Sequence, residues 1–166
     1  MSRTIKMATN ENEKEILKIY HSLIGTFGCT WNKYYPTIED IKKDIENKSM
    51  YIVCNEDKII AVASAGKDTE LEKLKCWNRN IKNPCDLHRI GVLKEFQNKG
   101  IAKELVRYIE NDVKKRGFDG IRFLVSKTNP PALAIYNKLG YKKCGETNMY
   151  DINWFCYEKK LEKREL

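Results

Sequence analysis

The chain has 166 residues, 42% of them hydrophobic and 33% charged, with a formal net charge of +8 at pH 7. That length suits a single domain over residues 1–166 with a sizeable core, and no apolar run reaches the ~20 residues that a membrane-spanning helix needs. Met1-Ser-Arg-Thr-Ile-Lys6 runs straight into polar sequence without the apolar stretch of a signal peptide, which makes the cytoplasm the expected compartment.

The six cysteines, Cys29, Cys54, Cys76, Cys85, Cys144 and Cys156, are scattered with no Cys-x-x-Cys pair. Zinc and dithiol spacings are therefore missing, and reduced structural thiols are expected, with no metal. Much of the positive charge lies in mixed-sign segments such as Lys159-Lys-Leu-Glu-Lys-Arg-Glu165, the pattern of a solvated surface. Two partners remain to be weighed for the rest, nucleic acid and a small polyanionic cofactor.

In chain order, Ile5 to Ala8 reads as a short strand. Asn10-Glu-Asn-Glu13 reads as a helix start with an Asn cap, and Ile16, Ile19, Tyr20, Leu23 and Ile24 follow at helical spacing until Gly25 and Gly28. Pro36-Thr-Ile-Glu39 opens a second helix with Ile38, Ile41 and Ile45 inward. Met50 to Cys54, a turn over Asn55 to Lys58, and Ile59 to Ala65 form a hairpin. Lys67 to Pro84 is a polar connection with no assigned element. Cys85 to Leu93 is a strand. Gly100 to Arg116 is the strongest helix, with Ile101, Leu105, Ile109 and Val113 as its stripe and Gly117 closing it. Ile121 to Val125 is a strand, Asn129-Pro-Pro131 opens a helix that Gly140 ends, and Tyr141 to Leu161 holds two more strands. The order β-α-α-β-β-β-α-β-α-β-β implies an α/β (α+β) fold, a mixed and mostly antiparallel sheet flanked by helices.

The segment from Leu87 to Leu105 carries the chemistry. A strand feeding a helix through a Gly turn presents unpaired N–H groups and the positive end of the helix dipole, which together attract phosphate. Gln97-Asn-Lys-Gly-Ile-Ala102 is neither a Walker A loop nor a G-x-G-x-x-G fingerprint. Gly100 permits a tight turn, Ala102 lets phosphate approach the backbone, and Lys99 and Lys103 add cationic donors. Gly91, between Ile90 and Val92, marks either a bulge or a close approach within the strand.

Three motifs in order then resemble the GCN5-related N-acetyltransferase (GNAT) superfamily: Leu87-x-x-Ile-Gly-Val92, Gln97-x-x-Gly-x-Ala102, and Asn129-x-x-Ala132-x-x-x-Tyr136-x-x-x-Gly-Tyr141. The order of elements is similar to that fold throughout, and the likeness is detailed from about Cys85 to Tyr141. It implies a single acyl-coenzyme A N-acyltransferase domain with acetyl-coenzyme A (acetyl-CoA) as acyl donor. The pyrophosphate would lie on the backbone of Gln97, Asn98, Lys99, Gly100, Ile101 and Ala102, with Lys103 near by; the family's signature opens with Gln or Arg and closes with Gly or Ala. The pantetheine arm would pair with Ile90 and Val92, and the thioester carbonyl would meet a bulge N–H at Gly91. Asn129 and Ala132 would line the arm, and Tyr136 would be the general acid that protonates the departing thiolate.

The general base is open among Asp86, which precedes the bulge, His88, whose ordinary pKa is near neutrality, and a water. Tyr136 as simple core, Asn129 as a helix cap, and Asp86 and His88 as plain strand residues are the alternatives. The acceptor is an amine of a small molecule or peptide. It is expected near the first two helices, their loop (Phe27 to Tyr35), the Lys67 to Pro84 connection and the last hairpin, where Trp31, Tyr34, Tyr35, Trp77 and Trp154 serve as pocket, core or homodimer contact. No covalent intermediate is expected, because Cys85 has no His-paired pattern. The rival functions are a non-catalytic acyl-CoA sensor and a nucleic-acid module; the absence of paired strand aromatics and zinc spacing disfavours the latter.

Overall fold

The periodicities of the sequence are realised element by element in a computed structural model that describes residues 3–26 and 29–162. The elements are β1 (Arg3–Met7), α1 (Glu13–Ser22), α2 (Ile38–Glu46), β2 (Met50–Asn55), β3 (Lys58–Gly66), α3 (Thr69–Glu72), β4 (Pro84–Val92), α4 (Ile101–Lys115), β5 (Gly120–Ser126), α5 (Pro130–Lys138), β6 (Lys142–Met149) and β7 (Ile152–Lys160). Short 3-10 turns precede α1 (Asn10–Asn12) and follow β4 (Lys94–Phe96). The strands form one seven-stranded sheet in the order β1-β2-β3-β4-β5-β7-β6. The β1–β2, β2–β3, β5–β7 and β6–β7 pairs are antiparallel, and β4–β5 is parallel. The expected mixed, mostly antiparallel sheet with flanking helices is thus observed.

The chain divides into two compact units. One runs to Gly66 and resumes over His88–Ile109; the other comprises Lys67–Leu87 and the described residues from Glu110 onward. In the first unit, β2 and β3 are apolar on both faces: Met50 to Cys54 and Ile59 to Val62 are buried. That is the continuous hydrophobic run of a strand covered on both sides. Ile16, Ile19, Tyr20 and Leu23 of α1 and its end pack with Ile41, Met50, Ile52 and Val62 in one cluster, each fully buried large side chain contributing about 1.5–3 kcal/mol. The stripe Ile101, Leu105, Ile109 and Val113 of α4 is buried throughout.

Of the first two helix starts read from the sequence, the second is observed and the first differs in its cap. Thr9, and not Asn10, caps the 3-10 turn that leads into α1: Thr9 N–H donates to Asn12 Oδ1 at 2.8 Å, so Asn12, the residue before α1, serves the reciprocal half of a capping box. In α2 the cap is Thr37, whose hydroxyl accepts from Asp40 N–H while Asp40 accepts from Thr37 N–H at 2.8 Å. After α1, Gly25 adopts a left-handed φ of 81°, whereas Gly28 and Phe27 lie outside the described residues. The polar connection contains α3, capped by Asp68, and Trp77 Nε1 donates to Leu71 O at 2.7 Å. Among the described residues no helix is long and apolar enough to cross a membrane.

In the second unit, Phe123 of β5 meets Tyr136, Tyr141 and Tyr157 at centroid distances of 4.2, 5.0 and 6.0 Å. Tyr141 donates to Glu110 at 2.9 Å, and Lys159 Nζ reaches the same carboxylate at 3.0 Å. Gly120 is held by close approach: a Cβ there would lie 2.5 Å from Ile81 Cγ2 and 3.1 Å from the Lys159 carbonyl. Gly120→Ala should therefore cost about 1–3 kcal/mol of stability, read as a lower urea midpoint.

Candidate functional site

In the first unit the loop after β4 turns tightly into α4. Asn98 and Gly100 are both left-handed, with φ of 62° and 79°. Glu104 N–H donates to the Gly100 carbonyl at 3.0 Å, so α4 begins at Gly100. The N–H groups just before Glu104 have no carbonyl partner within the helix. Alternation of left- and right-handed residues directs successive N–H groups into a shared concavity that attracts anions. Lys99 and Lys103 are exposed beside it, Ala102 is half-buried, and the Ile101 side chain is buried, so only its backbone can face a ligand.

Gln97 serves this loop from behind. Its Nε2 donates to the Val92 carbonyl at 2.9 Å, tying the loop to the last residue of β4. Leu93 N–H, the next group along, donates to Ile60 O of β3 at 2.9 Å.

The irregularity in β4 falls at Arg89 and not at Gly91. Arg89 has φ 52°, the left-handed conformation used by bulges, whereas Gly91 is a close-approach position. A Cβ on Gly91 would lie 2.8 Å from Leu23 Cδ1 and 3.3 Å from Trp31 Cη2. Trp31 also meets Tyr20 edge-on at 5.0 Å. Ile90 and Val92 are half-buried. His88 is half-buried, with Nε2 3.0 Å from the hydroxyl of Ser64, itself fully buried.

The second unit holds the other four candidates. Asp86 is fully buried, accepts from Arg122 Nε and from Asp68 N–H at 2.7 Å, and sits opposite Arg122 in the β4–β5 register. Burial pushes its carboxyl up, and the Arg122 guanidinium and the Asp68 amide oppose that shift. Arg122 also lies over the Trp77 ring at 5.3 Å. Asn129 caps α5, its Oδ1 accepting from Ala132 N–H at 3.3 Å, so the cap function foreseen as an alternative is present. Tyr136 is half-buried against Phe123, and its hydroxyl has no hydrogen-bond partner among the described residues. Burial raises the pKa of Tyr136, so the phenol stays protonated at neutral pH. Cys85 is fully buried and its thiol is pushed up to about 12, which leaves no thiolate for a nucleophilic role at neutral pH. All six cysteines are free.

The structure thus gathers Ile90 to Val92, Gln97 to Lys103 and His88 in one unit, and Asp86, Asn129, Ala132 and Tyr136 in the other. Four residues went unremarked in the sequence: Arg89, Asp44, Ser64 and Arg122. For the arginines a signal existed, since each is a lone cation inside an apolar strand run, which needs a buried partner.

The sequence profile of the acetyltransferase (GNAT) family matches residues 16–141. The chain belongs to that family. Relatives of this member of the family include "Probable N-acetyltransferase 14" of Xenopus tropicalis, 30% identical over 63 residues, which are 38% of this chain and 31% of that protein. The chain spans about a third of the length of the curated relatives it matches. Among solved structures, an acetyltransferase of the GNAT family from Streptococcus agalactiae superposes with TM-score 0.79 at 20% identity, covering 97% of this chain and 96% of that one. The yncA protein of Salmonella typhimurium, solved with its cofactor acetyl-CoA, superposes with TM-score 0.76 at 13% identity, covering 100% and 98%. At such identities these likenesses speak for the fold.

Two measurements follow from the buried groups. Arg122→Ala leaves Asp86 buried and unpaired, and should cost about 3–5 kcal/mol in urea unfolding, more than the paired replacement Asp86→Leu with Arg122→Met. Tyr20, Tyr136 and Tyr141 all have raised pKa values, with burial the leading cause in each. Their folded values lie above the unfolded one, so stability is full below about pH 10 and falls as the pH rises through and beyond it, when the unfolded chain releases protons first. Urea titrations at stepped alkaline pH, with phenolate absorbance followed in parallel, should show these three tyrosines ionising only on unfolding.

Proposed function

We propose that this chain acts as one catalytic domain that binds acetyl-CoA and transfers its acetyl group directly to the primary amine of a small molecule or peptide in a ternary complex. The observation that carries the proposal is the loop from Gln97 to Gly100. Its left-handed pair Asn98 and Gly100 opens α4 with unpaired N–H groups, flanked by Lys99 and Lys103, in a chain of the acetyltransferase family. That surface suits a pyrophosphate.

The pantetheine arm adds to β4 beside Ile90 and Val92, with Asn129 and Ala132 at the start of α5 serving the same arm. The amine nitrogen attacks the thioester carbonyl carbon, forming a C–N bond as the C–S bond breaks and its electron pair passes to sulfur. Tyr136 donates its proton to the thiolate and takes one back from solvent as the product leaves; burial keeps the phenol protonated between turnovers. The amine's proton leaves through His88, alone or through water; its ring nitrogen and its Ser64 hydroxyl partner suit a relay. Asp86, engaged by Arg122 and the Asp68 amide, acts as an anchor of β4 and not as the base.

Titration calorimetry should show acetyl-CoA binding, and its absence would sink the proposal. Thiol release across amine and peptide libraries then identifies the acceptor. With that acceptor, Tyr136→Phe should lower turnover by about 10²-fold or more with the acetyl-CoA Kd unchanged. Equal turnover would remove Tyr136 from the mechanism.

A further inference from the structure

Arg89 combines a costly backbone with an unusual number of restraints, all within the first unit. It is a non-glycine residue in the left-handed region inside a strand, a conformation that side chains with a Cβ disfavour. Such conformations persist where the surroundings over-determine them. Three bonds do so here, from three different segments. Tyr20 of α1 donates its hydroxyl to the Arg89 carbonyl at 3.1 Å. Arg89 Nη2 donates to Asp44 of α2, and Nη1 to the Tyr35 hydroxyl at 2.9 Å in the connection between the helices. The Arg89 and Asp44 side chains are 12% and 11% exposed, so the ion pair is largely screened from water.

The price of this arrangement is visible, because Arg89 Nε is buried with no partner among the described residues. A guanidinium fork can satisfy all its donors when position alone matters. Here one donor is left over while the backbone kink keeps all three restraints. The restraints therefore favour the kink over full satisfaction of the side chain. Directly after it come the N–H groups of Ile90 and Gly91, where the acetyl-CoA proposal seats the thioester.

We propose that Arg89 is a positioning residue of the transfer reaction. Its clamp to Tyr20, Asp44 and Tyr35 holds β4 in the left-handed kink and thereby aims the following backbone N–H at the thioester carbonyl oxygen. This rests on the acetyl-CoA proposal above. The clamp touches neither cofactor nor acceptor; it acts through the backbone. A pre-aimed donor polarises the carbonyl more than a mobile one, because no reorganisation is needed as charge develops on oxygen.

The test reads that polarisation directly, as the infrared carbonyl stretch of acetyl-CoA labelled with carbon-13 at the thioester carbonyl, free and bound to the full chain. On the wild type the stretch should fall on binding. In Arg89→Ala, where φ 52° is strained and the clamp is gone, most of that shift should vanish. In Arg89→Gly, which takes the left-handed region without strain, more than about half of the shift should remain, with Kd within about threefold of wild type in both variants. A full shift in Arg89→Ala, equal losses in the Ala and Gly variants, or no shift in a wild type that binds would each overturn the proposal. Should Arg89→Ala fail to fold, Tyr35→Phe decides: a reduced shift supports the clamp and an unchanged one refutes it. A wild type that does not bind acetyl-CoA strikes the proposed function instead and is recognised by calorimetry beforehand.

Discussion

The backbone of β4 from Asp86 to Val92 is the constraint on which the rest of the site depends. Five of its seven residues are fixed by interactions of different kinds. Asp86 is tied by a buried ion pair, His88 by a hydroxyl, Arg89 by a three-way clamp, Gly91 by the packing of Leu23 and Trp31 on its Cα, and Val92 by an amide side chain. A regular strand needs none of these, since its neighbours hold it through the ladder. In the acetyl-CoA proposal β4 also presents N–H groups to a ligand, and side chains then share the work of holding the strand.

Two of the ties are buried ion pairs, Arg89–Asp44 and Arg122–Asp86. Buried pairs add little net stability compared with apolar replacements, because desolvation offsets the attraction. Their contribution here lies in direction. A guanidinium in a fixed fork accepts few geometries, whereas a leucine in the same place would tolerate many. The apolar cluster around Ile16, Tyr20 and Met50 supplies the cohesion that lets its unit carry a left-handed arginine with an unsatisfied Nε donor.

Much of this was legible in the sequence, for physical reasons. The stripe from Ile101 to Val113, the double apolar runs of β2 and β3, and the Gly turns carry their periods openly, and the element order followed from them. The turn into α4 was legible because Gly100 and the helix start are local features. Of the two readings open at Gly91 the close approach is the one observed, and the left-handed residue is Arg89, two positions earlier, where the sequence offers no glycine to mark it. What makes Arg89 left-handed comes from Tyr20, Tyr35 and Asp44, residues 45 to 69 positions away. Tertiary restraints of that span leave no local mark. Asn10 was misassigned as a cap for a smaller reason: Thr9 and Asn12 form a reciprocal pair that a single-residue preference does not reveal.

The Gln97–Val92 bond bears on the spelling of the family's signature. The two residues that the signature admits at its first place, Gln and Arg, differ in charge, planarity and length. They share a flexible stem ending in N–H donors. A carbonyl at the end of β4 that must be tied to the loop asks for that and little else. Glu, equal in length to Gln, brings only acceptors when ionised. In this chain the first letter of the motif thus reports the direction of one hydrogen bond to a carbonyl five residues earlier, and the acetyl-CoA proposal leaves the phosphate contacts to the backbone that follows.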